Sequence, residues 1–449
     1  MHLPSTFGLR AEWRRIRAVA SLCFLSLIIP SCEKFDIWKH HGGGSPEDRG
    51  QVATDWYRLQ MRILLERNSA FNANAYMGYI GIGLYEAVRY GTKHSVSLSS
   101  KLYQMPAMPN KENNNGYNWQ MSANAAMAAM VRSFYQGLTP ANSASIDSLE
   151  NAYNEILKPS ENAAVFARSQ AFGKSIAAAV YNWYLTDNIN TSNTGYIPPV
   201  FPGSWVPTPP AFANGINPYI GTARTFLAAN LSGVSPAFVA PYSEVVNSDF
   251  YKIQKNVYDV SQTLTTEQKN IALFWVDQGN AVGYTPPGHD FLLVTQALEQ
   301  TGASLATAAE AYAKTGIAER DAAVVCFRSK YTYNLLRPVT YIRKIIDPNW
   351  LPFIPTPPHP EYPAAHAFVT GAVMQAATRV LGEHVKVVDH SYDFRGYPTR
   401  TYNSIFAAAE EAGISRLYGG IHTQPSINTG LAMAKELGNR VGNIKLTDD

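Results

Sequence analysis

Cysteine is scarce in this chain of 449 residues: Cys23, Cys32 and Cys326 are the only three. A disulfide scaffold is therefore excluded, and the fold must be held by its apolar core. An excess of either charge is also lacking. Removing the four arginines and one glutamate of residues 1–31 from totals of 37 basic and 34 acidic side chains leaves 33 of each. A neutral chain is not an electrostatic binder of nucleic acid. There is no His-Glu-x-x-His and no cysteine pair to hold a metal, and the interval from His359 to His366 is not a ligand spacing. A Gly-x-Ser-x-Gly nucleophile turn and a Gly-x4-Gly-Lys-Ser/Thr phosphate loop are missing too.

Long apolar runs are confined to the N-terminus. Arg10, Arg14, Arg15 and Arg17, with Glu12 the one acid, precede a stretch from Ala18 to Ile29. Its twelve residues are too few to span a bilayer. The stretch ends in Ile29-Pro30-Ser31-Cys32, which resembles a bacterial lipoprotein cleavage box. Residues 1–31 read as the signal peptide, Cys32 as the acylated first residue, and residues 32–50 as a polar, glycine-containing tether. This places the protein in a bacterial cell envelope, at the periplasmic or outer-membrane surface, with the lipid as its only membrane contact.

From residue 51 the pattern is helical. Apolar periodicity runs through about 52–66, 71–90, 119–135, 141–158, 161–187, 244–262, 266–280, 290–334, 366–381, 400–417 and 426–442. Few stretches alternate with period two. Residues 188–242 are rich in Pro, Gly and Asn and read as a long irregular excursion placed to wall or cover a site. The expectation is an all-α fold, with packed helical bundles forming one catalytic domain over 51–449.

Three blocks near the C-terminus carry the chemistry. Lys330 and Arg337-Pro338 form the first, Pro363-Ala364-Ala365-His366 the second, and Ser415-Arg416 with His422 the third. On a continuous helix, Lys330 and Arg337 would lie roughly 20° apart in register and about 10 Å apart along the axis, pointing to one side. Pro338 puts Arg337 at a helix end or kink. His366 falls at a helix start, where the amides of Ala364, Ala365 and His366 are free to meet an anion. Gly419-Gly420 ends the helix of Arg416, His422 follows, and Pro425 opens the last helix. Three fixed cations neutralise the oxygens of a tetrahedral oxyanion, one imidazole bonds its central atom, and the other moves a proton.

This three-block pattern resembles the type 2 phosphatidic acid phosphatase and vanadium haloperoxidase superfamily, whose motifs read K-x6-R-P, P-S-G-H and S-R-x5-H-x3-D. Residues 205–212 (WVPTPPAF) and 357–363 (PPHPEYP) are similar to its haloperoxidase-like branch. The resemblance covers roughly residues 50–445. It implies His422 and His366 as catalytic residues, with Lys330, Arg337, Arg416 and the Ala365 position binding the oxyanion. His422 would be the ligand to vanadium if vanadate is the cofactor. The chain departs from the pattern at Ala364 and Ala365, which replace Ser and Gly, and at Ser426, which replaces the Asp that orients the nucleophilic histidine. Glu361 and Tyr362 read as structural, and His359 and His289 as candidates to line the pocket.

Three readings follow. The first is a vanadate enzyme that uses peroxide to oxidise halide or a similar small molecule. The second is an acid-phosphatase-type hydrolase of phosphoesters that needs no cofactor. The third is a lipoprotein that only binds an oxyanion. Substrate and oligomeric state are open at this stage. The anchor has its own check: intact mass should show a mature N-terminus at Cys32 bearing lipid, and an unmodified start at another residue would refute it.

Overall fold

The computed structural model describes residues 50–66, 70–113, 115–158, 161–187, 189, 191–277 and 283–448; the expected signal peptide, Cys32 and most of the expected tether lie outside them. Helices dominate: α1 Gln51–Glu66, α2 Ala70–Val88, α3 Trp119–Phe134, α4 Pro140–Leu157, α5 Ala163–Tyr184, α6 Asp249–Gln262, α7 Thr266–Phe274, α8 Pro286–Gln300, α9 Leu305–Tyr333, α10 Pro338–Ile345, α11 Gly371–Leu381, α12 Ile405–Tyr418 and α13 Gln424–Gly442. Strands β1 Val387–Asp389 and β2 Arg400–Tyr402 form a small antiparallel ladder between α11 and α12, with Val388 opposite Thr401. None of the described helices is long and apolar enough to cross a membrane.

The all-α expectation holds, with local corrections. The periodicity over 290–334 spans two helices, because Thr301-Gly302 breaks the run and Ser304 caps α9 by accepting from the Thr307 amide. The stretch 400–417 begins as a strand rather than a helix. The shared helical face of Lys330 and Arg337 is not realised. Asn334 takes a left-handed conformation (φ 45°) that closes α9, and Arg337 is the extended residue preceding α10. The two cations still converge, because the chain folds back there instead of continuing.

Helix α9 is the axis of the molecule. Twenty-nine residues long, it is buried for most of its length and packs on α2 and α11. Contact with α2 is backbone to backbone. A Cβ on Gly316 would stand 2.8 Å from the Gly78 Cα, and one on Gly81 would overlap the Tyr312 carbonyl. Tyr312 also stacks on Tyr57 of α1, with centroids 3.5 Å apart and planes 2° from parallel. The excursion at 188–242 is tied to this helix, to its C-terminal cap and to the segment 357–363. The Asp321 carboxylate accepts from the amides of Phe226 and Leu227, Trp205 N donates to Asn334 O (2.7 Å), and Ile216 N donates to Pro358 O (3.0 Å).

Because α9 carries Lys330, its seat against α2 positions the site. Gly316→Ala and Gly81→Ala should each lower stability by about 1–3 kcal/mol, the usual cost of overpacking. Urea denaturation checks this, and unchanged midpoints would show that the helices separate without penalty.

Candidate functional site

The segment 357–363 holds four prolines, which have no N–H to donate, so its carbonyls need donors from elsewhere. Two of the cations supply them. Lys330 Nζ donates to Pro360 O (3.0 Å), Glu361 O (3.0 Å) and Pro363 O (2.6 Å). Arg337 donates from Nε to His359 O (2.8 Å), from Nη2 to Pro357 O (3.2 Å) and from Nη1 to Ile421 O (3.0 Å). Both are fully buried. Burial pushes the Lys330 ammonium down to about 7 and the Arg337 guanidinium down to about 10. Glu361 is the one carboxylate among the described residues whose charge acts on both.

His422 completes this cluster. Its Nδ1 lies 3.0 Å from Glu361 Oε1 and its Nε2 lies 3.1 Å from Arg337 Nη1. Arginine only donates, so Nε2 carries the lone pair and Nδ1–H donates to the carboxylate. Burial, reinforced by Arg337 and Lys330, keeps this ring neutral, far below the usual histidine range. Glu361 also accepts from the Thr423 amide (3.0 Å). It thus occupies the Nδ1 side of His422, where the sequence pattern would place an Asp at position 426. Burial pushes the Glu361 carboxyl up, against the Thr423 amide, the charges of Lys330 and Arg337 and the Ser426 hydroxyl beside it, which all favour its ionised form. Reading Glu361 as structural missed this. A lone acid between prolines in an otherwise apolar, buried stretch was the available signal.

On the opposite side His366 opens a wide π-turn, His366–Thr370, that leads into α11. Its Nε2 lies 3.2 Å from Asp277 Oδ2, so Nε2–H donates and Nδ1 is left as the basic nitrogen. Burial, with the nearby charge of Arg416, lowers His366 to about 4. Asp277 further accepts from Tyr392 Oη (2.6 Å) and pairs with His289 Nδ1 (2.9 Å), whose Nε2 reaches Asp389 (3.1 Å). Burial opposes charge on both groups, yet the partners win: Asp277 is held far below the carboxylate range and His289 is raised to about 10. His289 is therefore a buried cation behind the site rather than a pocket-lining residue. Arg416, near the C-terminal end of α12, donates from Nε to Ser415 Oγ (2.9 Å) and from Nη2 to the Trp275 carbonyl. Burial lowers it to about 10.

These groups meet at one cavity of about 390 Å³. His422, His366, Arg416, Ala365 and His359 line it, and Lys330 and Arg337 are not among its lining residues. Ile216 of the excursion lines it as well. His359 receives Arg337 Nη2 on its Nδ1 (3.0 Å). The Ala364 amide bonds to Ser426 O (3.4 Å) and so is not one of the free amides expected at this turn. His289 also sets a pH signature. It holds its proton in the fold up to about 10 against an ordinary 6.5, so its contribution is complete below about 6.5 and lost as pH rises towards 10. The stability advantage of wild type over His289→Gln should fall by up to about 1.4 kcal/mol per pH unit in that window. A gap that stays constant in urea titrations from pH 7 to 10 would mean a neutral ring.

The family model for the VCPO second helical-bundle domain matches residues 310–446, which contain all three blocks. The crystal structure of a bacterial vanadium-dependent iodoperoxidase superposes with a TM-score of 0.79 at 30% identity, covering 92% of this chain and 99% of that one. Holo-type and apo-type structures of a bacterial vanadium-dependent chloroperoxidase superpose with TM-scores of 0.60 and 0.58. Each is 16% identical and covers 84% of this chain, and 92% and 93% of the respective structures; they share the fold. No curated protein sequence matches the chain. The chain belongs to the haloperoxidase-like branch of the type 2 phosphatidic acid phosphatase and vanadium haloperoxidase superfamily.

Proposed function

We propose that the protein is a vanadate-dependent haloperoxidase. The observation that carries this reading is His422: a neutral ring fixed by Glu361 at Nδ1, with its Nε2 lone pair among buried cations at the cavity wall. The donor set fits the group. Three buried cations with lowered pKa values are short of negative charge, and a bound oxyanion would supply it. Lys330, Arg337, Arg416 and the Ala365 amide would hold its oxygens, and His422 Nε2 would bond the metal. When bound, vanadate supplies a Lewis-acidic centre at which peroxide becomes an oxidant for halide.

The chain's own residues do the rest. The cations balance charge on the oxygens. His366 Nδ1 accepts a proton as peroxide enters and returns it later. One proton is consumed overall when peroxide and halide give hypohalous acid and water. Asp277 holds the ring in the tautomer this needs. Methyl groups at Ala364 and Ala365 replace a hydroxyl donor and a bare backbone, so cation contacts carry more of the binding here than in the family pattern. Iodide is the halide to test first, given the similarity to an iodoperoxidase.

The purified protein should oxidise iodide with peroxide only after orthovanadate is added, while phosphomonoester hydrolysis in the same samples stays at background. Hydrolysis without peroxidation would instead establish the phosphatase reading, and neither activity would leave only oxyanion binding. Glu361→Gln should weaken vanadate affinity by about 10–100-fold, because it loses the charge that fixes the His422 tautomer. Unchanged affinity by calorimetry would remove Glu361 from this role.

A further inference from the structure

The cavity has a second polar face that oxyanion chemistry does not use. Glu319 lines it, lies on α9 three turns before Lys330, and is fully buried. No N–H or hydroxyl donor reaches either of its carboxyl oxygens. Beside it stands Asp290 of α8, also fully buried, which accepts from Thr370 Oγ1 (3.2 Å) through one oxygen only. The two carboxyls interact directly with each other. Burial, and for Glu319 the charge of Asp290 as well, drives the pair upward, with Asp290 at about 7. The His289 cation acts on Asp290 but not on Glu319, so the two adjacent carboxyls share a proton, with Glu319 as the donor. This leaves a neutral, hydrogen-bond-accepting carboxyl oxygen on a cavity wall. The flanking surface is apolar, from Phe327, Val369, Pro286 and Ile216.

We propose that Glu319 and this apolar wall form a subsite for a neutral hydroxyl-bearing organic substrate, whose O–H donates to the Glu319 carboxyl while its apolar body lies against Phe327 and Val369. The cavity then has two ends of opposite demand. Arg416 and His422 take an anion at one end, and the carboxyl end takes a donor. An ammonium ligand is disfavoured because the cations share the same small space. The inference rests on the haloperoxidase reading, and it names the class of molecule the oxidant meets inside the protein.

The test is binding rather than turnover. Phenol and anisole differ by one O–H and serve as probes of the orthovanadate-loaded full chain, titrated by ligand-observed NMR. A site built to pair a hydroxyl rejects the analogue lacking it, so phenol should bind about 10-fold or more tighter than anisole. Glu319→Gln retains an acceptor oxygen and should keep the preference. Glu319→Leu should erase it. Equal affinities in wild type, or a preference that survives in Glu319→Leu, would overturn the subsite and mean that water alone meets this carboxyl. If Glu319→Leu does not fold, the wild-type ratio and its loss in the cavity-filling Val369→Trp decide the matter. The outcome is separable from the function above: phenol preference without peroxidase activity would count against the haloperoxidase and leave the subsite standing.

Discussion

The grip of one buried ammonium on three carbonyls governs this structure. A charged amine removed from water is tolerated only if its donors are all engaged. Lys330 achieves this on the carbonyls of Pro360, Glu361 and Pro363. A proline-rich segment makes no ladder of its own, so it follows the cations: Lys330 and Arg337 fix its path. That path delivers the Glu361 carboxylate to His422 and the His359 ring to Arg337. The seat of Lys330 is set in turn by the glycine contact of α9 with α2.

Two histidines face one cavity in complementary states. His422 is held by a carboxylate at Nδ1 and exposes an Nε2 lone pair; His366 is held at Nε2 and keeps its basic nitrogen at Nδ1. Both are neutral, yet for different additional reasons. The cations Arg337 and Lys330 weigh on His422, whereas Arg416 weighs on His366 against the pull of Asp277. One ring is thereby suited to bonding and the other to proton movement, as their separate anchoring carboxylates dictate.

Helical periodicity made the fold legible, because burial of one face leaves a 3.6-residue signature that tertiary contacts do not erase. It failed at 290–334, where two helices in succession share apolar character across a short break. It failed again at 400–417, where a three-residue strand is too short to show alternation. The basic and imidazole residues were legible because their spacing is sequential. Asp277, Asp389, Glu361 and Glu319 were not. Asp277 and Asp389 approach His289 across 12 and 100 positions, and Glu361 reaches His422 across 61. Pairings of that kind are set by how helices pack and leave no local pattern. The irregular stretch at 188–242 suggested a wall but could not show that Ile216 would reach the cavity.

The saturated cations imply a rule of ion selection. Each hydrogen bond between Lys330 or Arg337 and a backbone carbonyl must be exchanged, not merely added to, when an anion is admitted. A spherical halide offers charge but no fixed set of oxygen acceptors directed at several donors at once. A tetrahedral oxyanion offers four. The rigid proline carbonyls therefore act as competitors that a multidentate ion is better placed to displace than a spherical one.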